Sequence, residues 1–531
     1  MKVFNTTAMC IPEEHYMVDI TERVKEIKKL IDAKKYFTIN RARQYGKTTT
    51  LTALDKFLSG NYDVVSLDFQ DLTDGSYIDE SSFVKGLAQV LCDTRDSIEI
   101  PLADEFYDSF QTLASEDKSL VMNDIFRIFD RWCKQNAKPI VLIIDEVDTA
   151  TNNQVFLDFL GKLRSNYLKR AKNPGYKTFH SVILAGVTDV KHLKGIIRPD
   201  EDHKLNSPWN IAADFDIDMS LSEPGIKGML EEYDADHNTG MDTAGVAKEI
   251  TAYTNGYPFF VSRICQIIDT KLVPQYFDSL AEAWTKAGVD EAVRMILSED
   301  NSLFDSVMGK LEQYPDLKLQ LRNILFRGDT VAHLPDDEAQ KQLRMYGFIY
   351  NKHNVVAITN RIFEMRLCTY FIGESKKNED LKRMASVNKT IFVEVDGSLN
   401  IPLIMEHFIK EHNRIHGNDT EEFLEAEGRE RFLTYLAPII NGTGTYSIEE
   451  QTSNQRRMDV VVHYLGRRYV IELKIWHGER YNEKGEKQIC DYLDYFDLTV
   501  GYLLSFNFNK KKEQGVKKIQ IGDKTLYEAT L

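Results

Sequence analysis

Two groups of residues, one toward each end of the chain, have the types and spacing for phosphate chemistry. In the first, Gly46-Lys47-Thr48 follows an apolar run and opens a helical one, and a later apolar run, residues 140–144, ends in Asp145-Glu146. A glycine lets backbone approach anionic oxygen closely, and the free amides at a helix start point toward it. Lys47 can reach terminal phosphates, while the Thr48 hydroxyl and the Asp145 carboxylate are oxygen ligands suited to Mg²⁺. Glu146 is placed to polarise an attacking water as general base. The loop reads Arg41-Ala42-Arg43-Gln44-Tyr45-Gly46-Lys47-Thr48, so Arg41 stands where the general phosphate-loop pattern has its first glycine. The nucleotide-contacting set is therefore Arg43, Gln44, Tyr45, Gly46, Lys47, Thr48, Thr49 and Asp145. A further apolar run, residues 181–186, leads into Val187-Thr188-Asp189. Thr188 is the candidate contact to a γ-phosphate or its attacking water, with a plain strand-to-loop turn as the alternative.

The second group is Asp459, Glu472-Leu473-Lys474, and Gln488-x-x-x-Tyr492 beyond it. Residues 459–464, a turn at Leu465-Gly466-Arg467, and residues 468–475 read as a β-hairpin. Alternation along a strand puts Glu472 and Lys474 on one face, and Asp459 on the partner strand can meet them across the ladder. Asp459 and Glu472 would supply carboxylates to one or two divalent ions, and Lys474 would position water or stabilise phosphate charge. Hard oxygen donors suit Mg²⁺ or Mn²⁺ and not zinc. A strand that is apolar apart from Glu472 and Lys474 implies burial, where an uncompensated acid is costly.

The elements that must position these residues follow from hydrophobic spacing. Short continuous apolar runs at residues 36–40, 64–69, 141–144 and 182–184 alternate with helical stretches at 24–30, 48–58, 83–91 and 121–132. That is the pattern of a parallel sheet covered on both faces, an α/β nucleotide-binding domain over residues 1–220. A helical lid over 221–300 is interrupted at Thr254-Asn255-Gly256-Tyr257-Pro258. Residues 301–375 read as a winged helix, with helices at 317–326 and 336–345 and a hairpin about residues 351–354. Residues 376–419 are assigned as a linker, and 420–531 as a final α/β domain.

Size and composition bound the rest. A chain of 531 residues accommodates three or four domains. The net charge of −16 argues against indiscriminate nucleic-acid binding by the whole surface. It leaves room for local basic clusters such as Arg456-Arg457, Arg467-Arg468 and Lys517-Lys518. No apolar stretch has bilayer-spanning length, no secretory signal is apparent, and six scattered cysteines read as reduced thiols. The expected location is cytoplasmic, away from membranes. Asp234-x-Asp236-x-Asn238 imitates a calcium loop but has Thr239 where glycine is required, and is rejected.

Phe4-Asn5-Thr6-Thr7, His15-Tyr16-Met17-Val18-Asp19, residues 36–50, Ser207-Pro208-Trp209-Asn210-Ile211-Ala212 and Gly256-Tyr257-Pro258 together resemble the AAA-like P-loop ATPases of prokaryotes, relatives of the STAND class. The resemblance covers residues 1–290, and the missing first glycine is similar to that family. It implies that the segment before the first strand borders adenine and that Pro258 sits in the lid near the base. Arg198 is either a charge-neutralising finger or a surface arginine. The second group resembles the PD-(D/E)xK nuclease superfamily over residues 420–510, in its RecB-like branch, with Arg457-Met458-Asp459 replacing the proline-aspartate pair. Such relatives carry an acid on the preceding helix, where Glu430 fits best and Glu427 second.

The expectation is an ATP-hydrolysing protein coupled to a metal-dependent endonuclease, acting on nucleic acid with DNA ahead of RNA. The resemblance suggests phage defence or control of mobile elements, and homo-oligomerisation is open. The rival is a STAND-like switch whose C-terminal domain binds nucleic acid or protein without cutting.

Overall fold

The computed structural model describes residues 2–98, 100–187, 209–326, 331–374, 389–416, 425–440, 444–451, 457–475, 479–507 and 514–531. They divide into two compact units: residues 1–238, 256–266 and 345–347 form the first, and the remainder the second.

The first unit is built on strands β1 (Tyr36–Asn40), β2 (Asp63–Asp68), β3 (Ile140–Asp145) and β4 (Ser181–Gly186), all parallel in the order β1-β4-β3-β2. The side chains of β1, β3 and β4 are buried almost throughout, as continuous apolar runs require when both faces of a sheet are covered, and the edge strand β2 is buried at Val64, Val65 and Leu67. A parallel bridge from Phe37 to Ala213 lies beside β1, and the buried Trp209 donates its indole N–H to Thr38 Oγ1 at 2.9 Å. One face packs on α1 (Thr21–Asp32) and α2 (Lys47–Leu58) through Val24, Ile27, Ile31, Leu51 and Leu54. These residues recur at helical spacing, which is why the two segments are amphipathic helices. The other face carries a larger aromatic core from α3 (Glu80–Ser97), α4 (Asp104–Ser115), α5 (Met122–Gln135) and α6 (Gln154–Lys172), centred on Phe69, Phe83, Phe110, Phe129, Trp132 and Phe159. Helices α4 and α6 lie outside the helical stretches read from sequence.

Helix α7 (Glu223–His237) completes this unit, and the N-terminal segment is fixed to it. Phe4 packs between Tyr16 and Tyr233, each ring centroid 5.1 Å away, and Tyr16 Oη donates to Asp236 at 2.7 Å.

In the second unit, α8 (Thr243–Thr254) and α10 (Lys286–Ser298) pack together; α9 (Pro258–Lys271) contributes its C-terminal part. Next come α11 (Ser302–Gln313), α12 (Pro315–Phe326), α13 (Glu338–Met345), the hairpin β5 (Ile349–Lys352) and β6 (Val355–Ile358), and α14 (Arg361–Glu374). The C-terminal sheet has six strands in the order β11-β12-β10-β9-β8-β7, with β7 (Gly444–Gln451), β8 (Arg457–Tyr464) and β9 (Arg467–Ile475) antiparallel in sequence. Strand β10 (Val500–Phe506) runs parallel to both β9 and β12 (Lys524–Thr530), and β11 (Gly515–Ile521) is antiparallel at the edge. Helices α15 (Ile401–His416), α16 (Glu425–Ile440) and α17 (Glu479–Tyr495) pack against this sheet. Helix α15 falls inside the span read as linker. It buries Ile401, Ile404, Met405 and Phe408, a 3–4 spacing that a solvated tether does not need.

All six cysteines are free thiols, and among the described residues no helix is long and apolar enough to cross a membrane.

Candidate functional sites

The phosphate-loop segment leaves β1 at Arg41, whose N–H donates to the Gly186 carbonyl at the end of β4, 3.1 Å away. The Arg41 guanidinium folds back to the Asn40 and Ile217 carbonyls, both at 2.8 Å, and covers the Phe215 ring. The residue in the first glycine's place is thus a brace beneath the loop. The backbone then turns through left-handed conformations at Gln44 (φ 57°) and Gly46 (φ 76°) to start α2. No side chain caps that helix start, and the first amides of a helix have no partner within it.

Lys47 is buried and donates to the carbonyls of Arg41 and Ala42 at 3.1 and 3.3 Å. Burial lowers its pKa, opposed by the charges of Glu146, Asp148 and Asp145. Thr48 Oγ1 donates to Asp145 Oδ2 at 3.0 Å, which joins the two halves of the sequence signal. Glu146 follows in a left-handed conformation (φ 52°), its N–H on Asp145 Oδ1 at 2.9 Å. Burial raises the pKa of Glu146 and Lys47 opposes the shift, which favours a carboxylate with increased basicity.

Three expected contacts have particular placements. Thr49 Oγ1 accepts from the Cys10 N–H at 3.1 Å, so the N-terminal segment lies along the start of α2. Tyr45 meets Tyr257 edge-on at 4.7 Å, and Tyr257 Oη donates to the Arg43 carbonyl at 2.5 Å. Pro258 sits beside Gly46: a Cβ built there would be 3.9 Å from Pro258 Cγ. The Gly256-Tyr257-Pro258 motif therefore seats on the loop itself. Gly256 is held at φ 71°, and a Cβ on it would fall 2.2 Å from the Leu221 carbonyl oxygen. Thr188, Arg198, Ser207 and Pro208 lie outside the described residues.

Asp68 and Asp148 escaped the sequence reading. Asp68 ends β2 level with Asp145, and burial together with that neighbour's charge raises its pKa. Asp148 Oδ2 accepts from the Val187 N–H at 2.7 Å, tying the turn after β3 to the tip of β4. The available signal was positional, because both lie at or just beyond the carboxyl ends of parallel strands, where such sheets place their ligands.

In the second unit, Glu472 is fully buried on β9 and its Oε1 is 2.8 Å from Lys474 Nζ. The face they share also carries Val470, which packs with Val461 and with Tyr492 of α17. Gln488 Nε2 donates to Tyr492 Oη at 2.7 Å on that helix. Val460 faces Ile471 and Val461 faces Val470, so backbone alternation puts position 459 on the face of Val461, Val470 and Glu472. The Asp459 side chain itself lies outside the described residues, as does that of Glu427. Glu430 is placed differently: Arg322 Nη2 of α12 donates to its Oε1 and Oε2 at 2.8 and 2.9 Å, so its carboxylate already has a fixed cationic partner. Among the described residues, no group of three or more His, Cys, Asp or Glu is gathered as a metal cage.

With this geometry in hand, comparison with known proteins is decisive for the first two-thirds of the chain. The family model described as the AAA-like domain matches residues 20–371. The chain belongs to the AAA-like domain family. Residues 445–519 of this AAA-like protein match the PD-(D/E)XK nuclease superfamily, the stretch that carries Glu472, Lys474, Gln488 and Tyr492. No curated protein matches it. Among solved structures, a Walker-type ATPase of Pyrococcus abyssi is 13% identical, with 68% of this chain and 99% of that one covered and a TM-score of 0.46. The ORC2 protein of Aeropyrum pernix in its ADP form is 10% identical, covering 68% and 97%, with a TM-score of 0.36. The RuvB Holliday junction branch migration motor of Thermotoga maritima is 14% identical, covering 65% and 94%, with a TM-score of 0.31. An AAA-like ATPase domain thus precedes a nuclease-superfamily domain on one polypeptide.

Proposed function

We propose that this protein hydrolyses ATP in its first unit and uses that turnover to govern cleavage of nucleic acid, DNA ahead of RNA, by its C-terminal domain. The observation that carries the reading is the Thr48–Asp145 contact beside Glu146, on the same chain as the buried Glu472–Lys474 pair. Lys47 would exchange its two loop carbonyls for terminal phosphate oxygens, and the amides of Gly46 to Thr49 would hold the remaining charge. Arg43, Gln44 and Tyr45 shape the loop, and Pro258 packs against its turn. Glu146 would take the proton of the attacking water. Thr48 and Asp145, two oxygen donors 3.0 Å apart, fit a Mg²⁺ ion, which would supply charge neutralisation at the phosphates.

At the nuclease domain, Glu472 and Asp459 would hold Mg²⁺ or Mn²⁺, which would supply Lewis acidity toward the phosphodiester. Lys474 would orient water and steady the developing phosphate charge, and the Gln488–Tyr492 pair would position the substrate backbone over the same face. Glu430 is left out of the catalytic set because Arg322 holds its carboxylate, and it is assigned a bracing role between α12 and α16. The α11–α13 helices with the β5–β6 hairpin would serve as a winged-helix arm: α13 and its preceding residues carry Asp336, Asp337 and Glu338 against Lys341 and Arg344, a poor match to DNA. The protein would act in the cytoplasm.

Measuring ATP turnover and DNA cleavage side by side tests this reading. Glu146→Gln should lose turnover and keep binding, whereas Lys474→Ala should lose cleavage and keep turnover. Loss of both activities in a Lys474→Ala variant that still folds would refute separate sites.

A further inference from the structure

The second unit contains a cleft of about 640 Å³ that neither site uses. Its walls are α10, through Lys286 and Asp290, and the turn of the β8–β9 hairpin, through His463, Arg467 and Arg468. Phe496, Leu498 and Val500 form an apolar floor. Both walls are fixed from behind. Tyr253 Oη donates to Asp290 at 2.8 Å, and Arg361, lying over the Tyr253 ring, bonds His463 Nε2 at 2.9 Å. Tyr469 Oη accepts from the Leu399 N–H at 2.9 Å and closes a third side.

The charges on this lining are not equivalent. Lys286 pairs with Glu249 at 2.9 Å, and Arg467 pairs with Asp396 at 2.8 Å. Arg468 has no carboxylate partner among the described residues, and its guanidinium lies 4.1 Å from the centre of the Phe496 ring. Such a guanidinium over an aromatic ring, half-buried at the edge of an apolar floor, keeps its fork of donors for an anion. A phosphate can take two of those donors at once, and the apolar floor beside it suits a flat ring. A space of this size falls within the range of small-ligand sites.

We propose that this cleft binds a nucleoside phosphate, with the phosphate on Arg468 and the base over Leu498 and Val500. The site is separate from the phosphate loop. It is also displaced from the Glu472–Lys474 pair: Arg468 shares their face of β9 but is four residues from Glu472, about 13 Å at the rise of a strand. A ligand here would bridge α10 to the nuclease hairpin, so its occupancy would be read by both.

Equilibrium titration of the full chain with ADP, AMP and adenosine tests this. The wild type should bind two equivalents of ADP; Lys47→Ala and Arg468→Ala should each bind one, and the double variant none. The site left in Lys47→Ala should take AMP as well and weaken at least tenfold for adenosine. Val500→Trp, which fills the cleft from a partly exposed position, should remove the same equivalent if Arg468→Ala proves unstable by thermal melting. One equivalent in wild type, lost with Lys47→Ala and kept with Arg468→Ala and Val500→Trp, would overturn the proposal. Failure of the phosphate-loop reading would look different: Lys47→Ala would then keep every equivalent that the wild type binds.

Discussion

The hydroxyl of Thr48 lies 3.0 Å from a carboxylate oxygen of Asp145, although 97 positions separate them in sequence. The parallel order β1-β4-β3-β2 achieves this by ending both β1 and β3 on one edge, with β4 between them. Thr48→Ala removes an oxygen donor from that pair without touching the core. It should leave the fold intact and lower ATP turnover by at least tenfold, with the deficit largest at low Mg²⁺; a magnesium titration of steady-state turnover reads this directly.

Glu146→Gln keeps the size and the left-handed turn but removes the base. General-base loss costs roughly 10²–10⁴ in rate. ATP binding by titration should remain within about threefold of wild type, because the residue's charge is at most an indirect contributor to phosphate affinity.

The pH profile of turnover should be narrowed from both sides. Burial raises the pKa of Glu146, and a base must be deprotonated to act, so the acid limb should lie above the ordinary carboxylate range. Burial lowers that of Lys47, and phosphate binding needs the ammonium, so the alkaline limb should fall below the ordinary lysine range. Activity rises through the first and is lost through the second. An acid limb of kcat/KM no higher than an ordinary carboxylate, or an alkaline limb no lower than an ordinary lysine, would remove the corresponding group from the mechanism.

Glu472 and Lys474 are a buried ion pair, and breaking such a pair is more damaging than replacing it. Lys474→Met alone should destabilise the C-terminal domain by about 3 kcal/mol. Glu472→Gln with Lys474→Met should recover much of that loss while cleavage stays absent. Denaturant melts alongside a cleavage assay separate the two effects, and recovery of cleavage in the double variant would contradict the catalytic assignment.

Glu430→Gln should leave cleavage within about threefold, since its carboxylate faces Arg322. Arg322 is about half exposed, so the pair contributes no more than about 1 kcal/mol. A hundredfold loss of cutting would return Glu430 to the catalytic set.

The legible parts of the chain were those where chemistry and periodicity coincide. Continuous apolar runs marked the four strands of the first unit's parallel sheet, because a strand covered on both faces shows little polar alternation. The Glu472–Lys474 face was readable from alternation alone. Helices α4 and α6 were harder: Asp104 to Ser115 mixes acids and aromatics, and only the partner helices show which face is covered. The bracing role of Arg41 depends on the carbonyl of Ile217, and the pairing of Glu430 with Arg322 crosses 108 positions. Neither is encoded in local spacing. Likewise Asp148 acquires its place only once β4 returns beside β3.

The coupling of the two activities is tested most directly by the rate of DNA cleavage in Mg²⁺ with and without ATP, for wild type and Glu146→Gln. The wild-type rate should change at least tenfold when ATP is supplied, and that response should be absent or locked in one state in Glu146→Gln. Equal cleavage rates under all four conditions would contradict the account.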